Sequence, residues 1–452
     1  MFSKDFVWGV ATSSYQIEGA AQEDDRGLSI WDTYCMKEGA IFEGQSGDVA
    51  TDHYHRFKED VAIMKKLGVK AYRFSISWSR ILPDGVGRVN EKGIEFYNNL
   101  IDELIKNDIE PFITLYHWDL PQTLFERGGW LNRDSADWFS EYAKIVAENF
   151  SDRVKYYFTF NEPQCFIGIG YNGGKHAPGI KYSLEEQIIS THNVLLAHGK
   201  AVKAIRDNAK GEVEVGYAPT CTWNYPVDEN NPKDILAAYE SNFKTPDDMS
   251  LWCVSWWSDP VVFGKYPEDG LKLVKDYLPK TWEEDLKIIS EPIDFMGQNI
   301  YSGKAVRATE NGFEIVKRPI GYGITAGGCP IEPNSIKWGS KFLYERYKLP
   351  IYITENGMSC RDTVSLDGKV HDPQRIDFLQ RYLLKLEEAI GEGADVRGYF
   401  QWSLMDNFEW DNGYKERFGI VFVDYKTQER IIKDSGNWYR EVIESNGEKL
   451  HI

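Results

Sequence analysis

Short apolar runs alternate along this chain with longer stretches whose apolar residues recur at helical spacing. The short runs read as strands over 6–14, 70–77, 110–116, 154–160, 212–219, 292–300, 349–357 and 395–403. Between them, 53–67 reads as a helix carrying Phe57, Val61, Met64 and Leu67 on one face, stopped by Gly68 as a C′ residue. Residues 90–107 repeat the pattern with Ile94, Tyr97, Leu100, Ile101 and Leu104. Asp134 is placed to cap the next helix, striped by Trp138, Phe139, Tyr142, Ile145, Val146 and Phe150. Further helices are expected over 184–208, 334–348, 373–391 and 434–445. A Gly-rich loop spans 168–179. Residues 220–285, with helices, and 302–333 read as excursions. Eight strands interleaved with helices, without a Pro/Ser-rich linker or a repeat, predict an α/β chain. It forms a single (β/α)8 TIM barrel over 1–452 with long rim loops.

Two of these strands end in the same way. Leu349-Pro350-Ile351-Tyr352-Ile353-Thr354 runs into Glu355-Asn356-Gly357, and Val154 to Phe160 runs into Asn161-Glu162-Pro163. Each is an apolar strand stopped by a carboxylate and a turn-former. In a β/α barrel, strand C-termini form the catalytic rim. That rim would gather Gln16, Arg73, His117, Trp118, Asn161, Glu162, Asn299, Tyr301, Glu355, Trp402, Glu409 and Trp410. Amides and Glu409 suit bidentate bonding to vicinal hydroxyls, and indoles suit the C–H faces of a sugar ring. Two strand-tip carboxylates are what a two-carboxylate reaction needs.

Composition narrows the chemistry. Lys and Arg number 52 against 70 Asp and Glu, giving a net charge of −18. Such a surface repels nucleic acid and fits a neutral small molecule. Six cysteines form no Cys-x-x-Cys pair and suggest reduced thiols. The N-terminus shows no signal-peptide pattern, and no apolar run has membrane-spanning length, so a cytoplasmic protein without membrane attachment is expected. No Gly-rich phosphate loop or metal-ligand spacing occurs, so no cofactor or metal is implied. His53-x-His55 reads as solvated or helix-capping. His192 and His198 are six apart and do not share a helix face. Glu18 reads as a structural hydrogen-bond acceptor. Cys165 has no His–Asn partners for nucleophilic work.

Phe6-Val7-Trp8-Gly9-Val10-Ala11-Thr12-Ser13-Ser14-Tyr15-Gln16-Ile17-Glu18-Gly19-Ala20 resembles the N-terminal signature of glycoside hydrolase family 1, the β-glucosidase family. Thr159-Phe160-Asn161-Glu162-Pro163 resembles its acid/base motif and Ile353-Thr354-Glu355-Asn356-Gly357 its nucleophile motif. Trp402 to Trp410 resembles its glucose-binding segment. The resemblance runs from the first strand to the last helix. It implies retaining hydrolysis of terminal β-D-glucosyl residues from aryl or alkyl glucosides and short oligosaccharides, with a role in cellulose breakdown. Glu355 would be the nucleophile and Glu162 the acid/base. Arg73 and Tyr301 would support ionised Glu355. Gln16, His117, Asn161, Asn299, Tyr301, Glu409 and Trp410 would hold the sugar, Trp402 would form its floor, and Trp118 and Phe418 would line the pocket. A cis peptide between Trp402 and Ser403 is also implied.

The chain departs from the family at one place. Many members carry a Trp where Gly327-Gly328-Cys329-Pro330 stands here, so the leaving-group side is expected to be less aromatic and more open. A sub-branch that cleaves 6-phospho-glucosides replaces the Glu-Trp pair, which this chain keeps as Glu409-Trp410. Lys415-Glu416-Arg417-Phe418 ends in Phe rather than the Tyr of that sub-branch's phosphate element. Alternatives are a 6-phospho-β-glucosidase or transglycosylase on the same scaffold, and a non-catalytic sugar-binding relative. Self-association is left open.

Overall fold

A computed structural model describes all residues, 1–452. The barrel strands are β1 (Val7–Ala11), β2 (Ala71–Ser75), β3 (Glu110–Tyr116) and β4 (Tyr156–Asn161). They continue with β5 (Glu214–Ala218), β6 (Met296–Asn299), β7 (Ile351–Asn356) and β8 (Val396–Trp402). All pair in parallel, in the order β5-β4-β3-β2-β1-β8-β7-β6. Two backbone bonds close the ring between β5 and β6: Asp294 N to Val215 O at 2.9 Å and Asn299 N to Pro219 O at 3.1 Å. Each expected barrel strand is present; Glu110–Tyr116 has the expected bounds, Tyr156–Asn161 runs one residue further, and the others are shorter at their ends.

The interior is filled by alternating small and large side chains. Ala11, Ala71, Phe112, Phe158, Ala218, Phe295, Tyr352 and Phe400 form one cluster beneath Trp402. Gly9 is required there, because a Cβ would fall 2.4 Å from Phe400. Phe112 and Tyr156 stack with centroids 4.2 Å apart. This plug carries the rim residues on rigid strand ends.

The outer helices bury the predicted stripes. Glu91–Lys106 buries Ile94, Tyr97, Leu100, Ile101 and Leu104, and Asn90 caps it. Leu184–Asn208 opens on a capping box in which Ser183 Oγ accepts from Glu186 N and Glu186 Oε2 from Ser183 N. Gly68 (φ +71) follows His53–Lys66 as expected.

Three expectations need correction. Asp134 occupies the N-cap position of Ser135–Phe150, but its backbone is already helical and its side chain caps nothing. Asn132 Oδ1 accepts from Asp134 N instead. His53 is not solvated: it is buried, with Nδ1 2.7 Å from Asp60 Oδ2. The excursions also hold a three-stranded sheet, Trp223–Pro226, Gly303–Thr309 and Gly312–Ile315. A further hairpin joins Val421–Val423 to Arg430–Ile432. The Asn311-Gly312 turn dipeptide was a readable sign of the first. No helix is long and apolar enough to cross a membrane, and all six cysteines are unpaired.

Candidate active site

The rim gathers around Arg73, buried on β2. Its Nη1 donates to Glu355 Oε1 at 2.8 Å on β7 and its Nη2 to Asn161 Oδ1 at 2.7 Å on β4. Nε donates to Thr114 Oγ1 at 3.0 Å on β3. Three other strands from around the barrel therefore fix one guanidinium, whose planar fork matches the arrangement. Tyr301, just past β6, donates to the other Glu355 oxygen at 2.7 Å. Both oxygens of Glu355 are thus held. Burial raises its pKa, and Arg73 and Tyr301 pull it back toward the ionised form.

Glu162 stands at the junction of β4 with a short helix, Pro163–Gly168. Pro163 begins that helix, and Glu162 takes the left-handed region (φ 44) to make the turn. Strain of this kind concentrates at functional sites. Asn299 Nδ2, at the end of β6, donates to Glu162 Oε1 at 2.9 Å and also faces Glu355. No cation bonds to Glu162. Burial and the charge of Glu355 raise its pKa to about 7. Two carboxyls of one site are therefore biased apart: the proton goes to Glu162 and the charge to Glu355.

The sequence profile of Glycosyl hydrolase family 1 matches residues 1–448. The chain belongs to glycosyl hydrolase family 1. It is 46% identical over 450 residues to the 1,4-beta-D-glucan glucohydrolase of Thermotoga neapolitana, covering 99% of each chain. It is 45% identical over 456 residues to beta-glucosidase A of Acetivibrio thermocellus, again covering 99% of each. The solved beta-glucosidase from Thermotoga maritima in complex with glucoimidazole superposes with a TM-score of 0.90 at 46% identity, covering 99% of each chain.

In this family 1 chain the two carboxyls open into a cavity of about 330 Å³. His117, Trp118, Tyr301, Trp402, Glu409, Trp410 and Phe418 line it with them. Trp118 and Trp410 stack at 4.5 Å, and His117 stacks on Trp402 at 5.7 Å. Trp118 Nε1 is spent on Asn161 O at 3.0 Å, so its ring offers an apolar surface. The Trp402–Ser403 peptide is cis, as the resemblance implied. Asn161 Oδ1 is occupied by Arg73 and Asn299, so its amide nitrogen donates to His117 Nε2 at 3.0 Å. Burial and Arg73 push His117 well below its usual pKa, leaving a neutral ring whose Nδ1 has no partner. Glu409 lies beside Gln16, with Gln16 Nε2 3.4 Å from its Oε2. Burial, followed by Glu416 and Glu355, raises Glu409 well above the ordinary carboxylate range.

Some expected residues do not face the cavity. Arg73, Asn161 and Asn299 stand behind the carboxyls. Gln16 is fully buried, and Nε2 also bonds Phe408 O and Asn407 Oδ1. Glu18 lies deeper, accepting from Tyr97 OH at 2.5 Å and Arg80 Nε at 2.9 Å. Sequence reading did not include His176, Thr220, Cys221, Thr222, Trp252 or Asp411, which also line the cavity. Most come from long rim segments without strand or helix periodicity. His176 pairs with Asp411 at 3.2 Å across two of these segments.

Proposed function

We infer that this cavity hydrolyses β-D-glucosides with retention of configuration. The asymmetry between the two carboxyls carries the reading. Glu355 faces a guanidinium and a phenol, whereas Glu162 meets an amide and a thiol, neither of them charged, and holds its proton to about pH 7. In the first step Glu355 attacks C1 of the glucosyl ring, the C1–O bond breaks, and Glu162 gives its proton to the departing oxygen. A covalent glycosyl-enzyme results. Esterification removes the charge of Glu355, so the Glu162 pKa falls and it now accepts a proton from water. Water attacks C1 from the face the leaving group vacated. Two carboxyls that face one amide donor suit the ~5 Å spacing of direct attack rather than the roughly 6.5–9.5 Å of a water-inserting pair.

Asn161 is proposed to act from behind the cavity, donating to His117 Nε2 and so turning the ring's Nδ1 into the donor that meets the sugar. His117, Glu409 and Trp410 are proposed to hold the hydroxyls, Gln16 positions Glu409 from behind, and Trp402 is the floor. Asn299 is assigned to holding Glu162 rather than to touching sugar. Glu409 is surrounded by acids and paired with no cation, so this corner offers a 6-phosphate no positive partner, and the unphosphorylated sugar is proposed as the substrate. The chain is proposed to act as one catalytic barrel over 1–452, in the cytoplasm, on aryl or alkyl glucosides and short oligosaccharides released from cellulose.

The test is hydrolysis of an aryl β-glucoside and its 6-phospho analogue by wild type and Glu355→Gln, with the product anomer followed by NMR. Release of β-glucose from the plain glucoside alone, abolished by the substitution, is expected. Activity only on the phosphorylated sugar would overturn the assignment of Glu409. Sugar binding without turnover of either would move the chain to the binding class.

A further inference from the structure

We propose that Trp252 sets the leaving-group specificity, favouring β-glucosides with an apolar aryl or alkyl leaving group over those that carry a second sugar. The proposal rests on the β-glucosidase reading and adds the class of leaving group.

The placement begins with a local alternation. Leu251 and Cys253 are buried, and Trp252 between them is 38% exposed. Trp257 Nε1 donates to Leu251 O at 2.9 Å, which pins the backbone just before the indole. Trp252 Nε1 donates to Thr222 Oγ1 at 3.2 Å, which pins its edge. The one polar atom of the ring is satisfied within the protein, so the exposed part is apolar ring face. That face belongs to the cavity that holds Glu162 and Glu355. An indole held at two points binds a flat or flexible apolar group with little ordering cost of its own.

The wall around Trp252 explains the choice between ligands. Thr220, Thr222, Ser302 and Thr325 bring four hydroxyls to the cavity. Two of them give their O–H to the protein and two accept from it, so only Thr222 and Thr325 keep a free donor. Thr220 Oγ1 donates to Asn299 O at 3.3 Å and Ser302 Oγ to Pro330 O at 2.8 Å. Thr222 Oγ1 accepts from Trp252, and Thr325 Oγ1 accepts from Cys329 N at 3.2 Å. The thiols of Cys221 and Cys329 complete this side, turned toward Thr222 O and Pro330 O. A sugar leaving group brings several hydroxyls that need partners, and unpaired buried polar groups are costly. An alkyl or aryl group needs only apolar surface, and each methylene removed from water adds to its binding. The glycone side, by contrast, keeps open polar groups such as His117 Nδ1.

The experiment compares kcat/KM for methyl β-glucoside, octyl β-glucoside and cellobiose. Methyl and octyl glucosides share the glycone and the type of leaving oxygen, so their ratio isolates apolar contact. Wild type is expected to prefer octyl β-glucoside to both others. Trp252→Ala is expected to lower the octyl-to-methyl ratio about tenfold through KM. Trp252→Phe should keep most of it, and Thr222→Val, which frees the indole edge, should lower it about two- to threefold. Thermal melts of all three variants accompany the kinetics, and the Phe and Val variants carry the test if the Ala variant does not fold. A wild type that prefers cellobiose to octyl β-glucoside, or a ratio that no variant changes, would overturn the proposal. A wild type that cleaves none of the three would overturn the β-glucosidase reading with it.

Discussion

Asn299 donates to Glu162 Oε1 at 2.9 Å from a side chain whose own carbonyl is held by Thr354 Oγ1 at 2.6 Å, one residue before Glu355. The donor that steadies the acid is thus tied to the strand that carries the nucleophile. This bond lowers the Glu162 pKa against the larger upward push of burial. Asn299→Ala should therefore move the basic limb of kcat/KM upward from about pH 7. Turnover of the glycosyl-enzyme should slow, because Glu162 must then act as a base. Stopped-flow burst kinetics would reveal accumulated intermediate. An unshifted limb would mean that Asn299 does not govern the Glu162 proton.

The wild-type profile itself has a required sign. Glu162 must be protonated, so kcat/KM should fall as pH rises through about 7. Removing the charge of Glu355 takes away the second-largest cause of that elevated pKa. In Glu355→Gln the Glu162 carboxyl should titrate below the wild-type value, read by carbon NMR of labelled glutamate. A Glu162 pKa unchanged by the substitution would leave burial as the sole cause and break the proposed switch from acid to base.

Arg73 illustrates why a buried ion pair at this position is functional. Its guanidinium bonds Glu355, Asn161 and Thr114, and both it and Glu355 are almost wholly buried. Arg73→Met would leave the Glu355 charge uncompensated, and breaking such a pair costs about 3–5 kcal/mol. Glu355 would then hold its proton to higher pH, and the acidic limb of kcat/KM should shift upward together with a loss of denaturant stability. Arg73→Lys restores charge without the fork and should recover the limb better than the rate. Equal losses in both variants, with no limb shift, would make Arg73 a scaffold residue only.

The barrel and its reactive centre were legible because both rest on local pattern. Eight apolar runs marked the strands, and Glu162-Pro163 and Glu355-Asn356-Gly357 marked two of their ends. The leaving-group wall was not legible. Thr220, Cys221, Thr222 and Trp252 belong to segments fixed by packing and by single hydrogen bonds such as Trp252 to Thr222, which leave no periodic trace. Asn299 was legible as a rim residue but not in its orientation, which depends on Thr354 and Asn161 from two other strands.

Glu409 places a carboxylate where the free protein gains nothing from it. Burial raises its pKa, with Glu416 and Glu355 adding to the shift. A carboxyl with a raised folded pKa gives stability that is full below its unfolded pKa and is lost as pH rises through the folded one. Glu409→Gln should therefore melt at higher temperature than wild type at pH 8, and the gap should close as pH falls toward about 4.5. The same change should cost kcat/KM about 10- to 100-fold, the value of one charged hydrogen bond at about 1.5–3 kcal/mol. Calorimetry at both pH values tests the first half. A variant less stable at pH 8 would mean that the protein relies on Glu409 for its fold.

Cys329 shares the cavity with Trp252, and its thiol is half-hidden against Pro330 O. The expectation of a less aromatic side thus meets one indole contributed by a different rim segment. Cys329→Trp would add a second. Two ring faces would give the C–H faces of a second sugar more apolar contact than the single indole of Trp252 does. The rate on cellobiose relative to an aryl β-glucoside should therefore rise several-fold. Unchanged relative rates would show that Cys329 does not contact the leaving group. A fall in cellobiose cleavage alone would show that the added ring blocks the path a second glucosyl unit takes past Trp252.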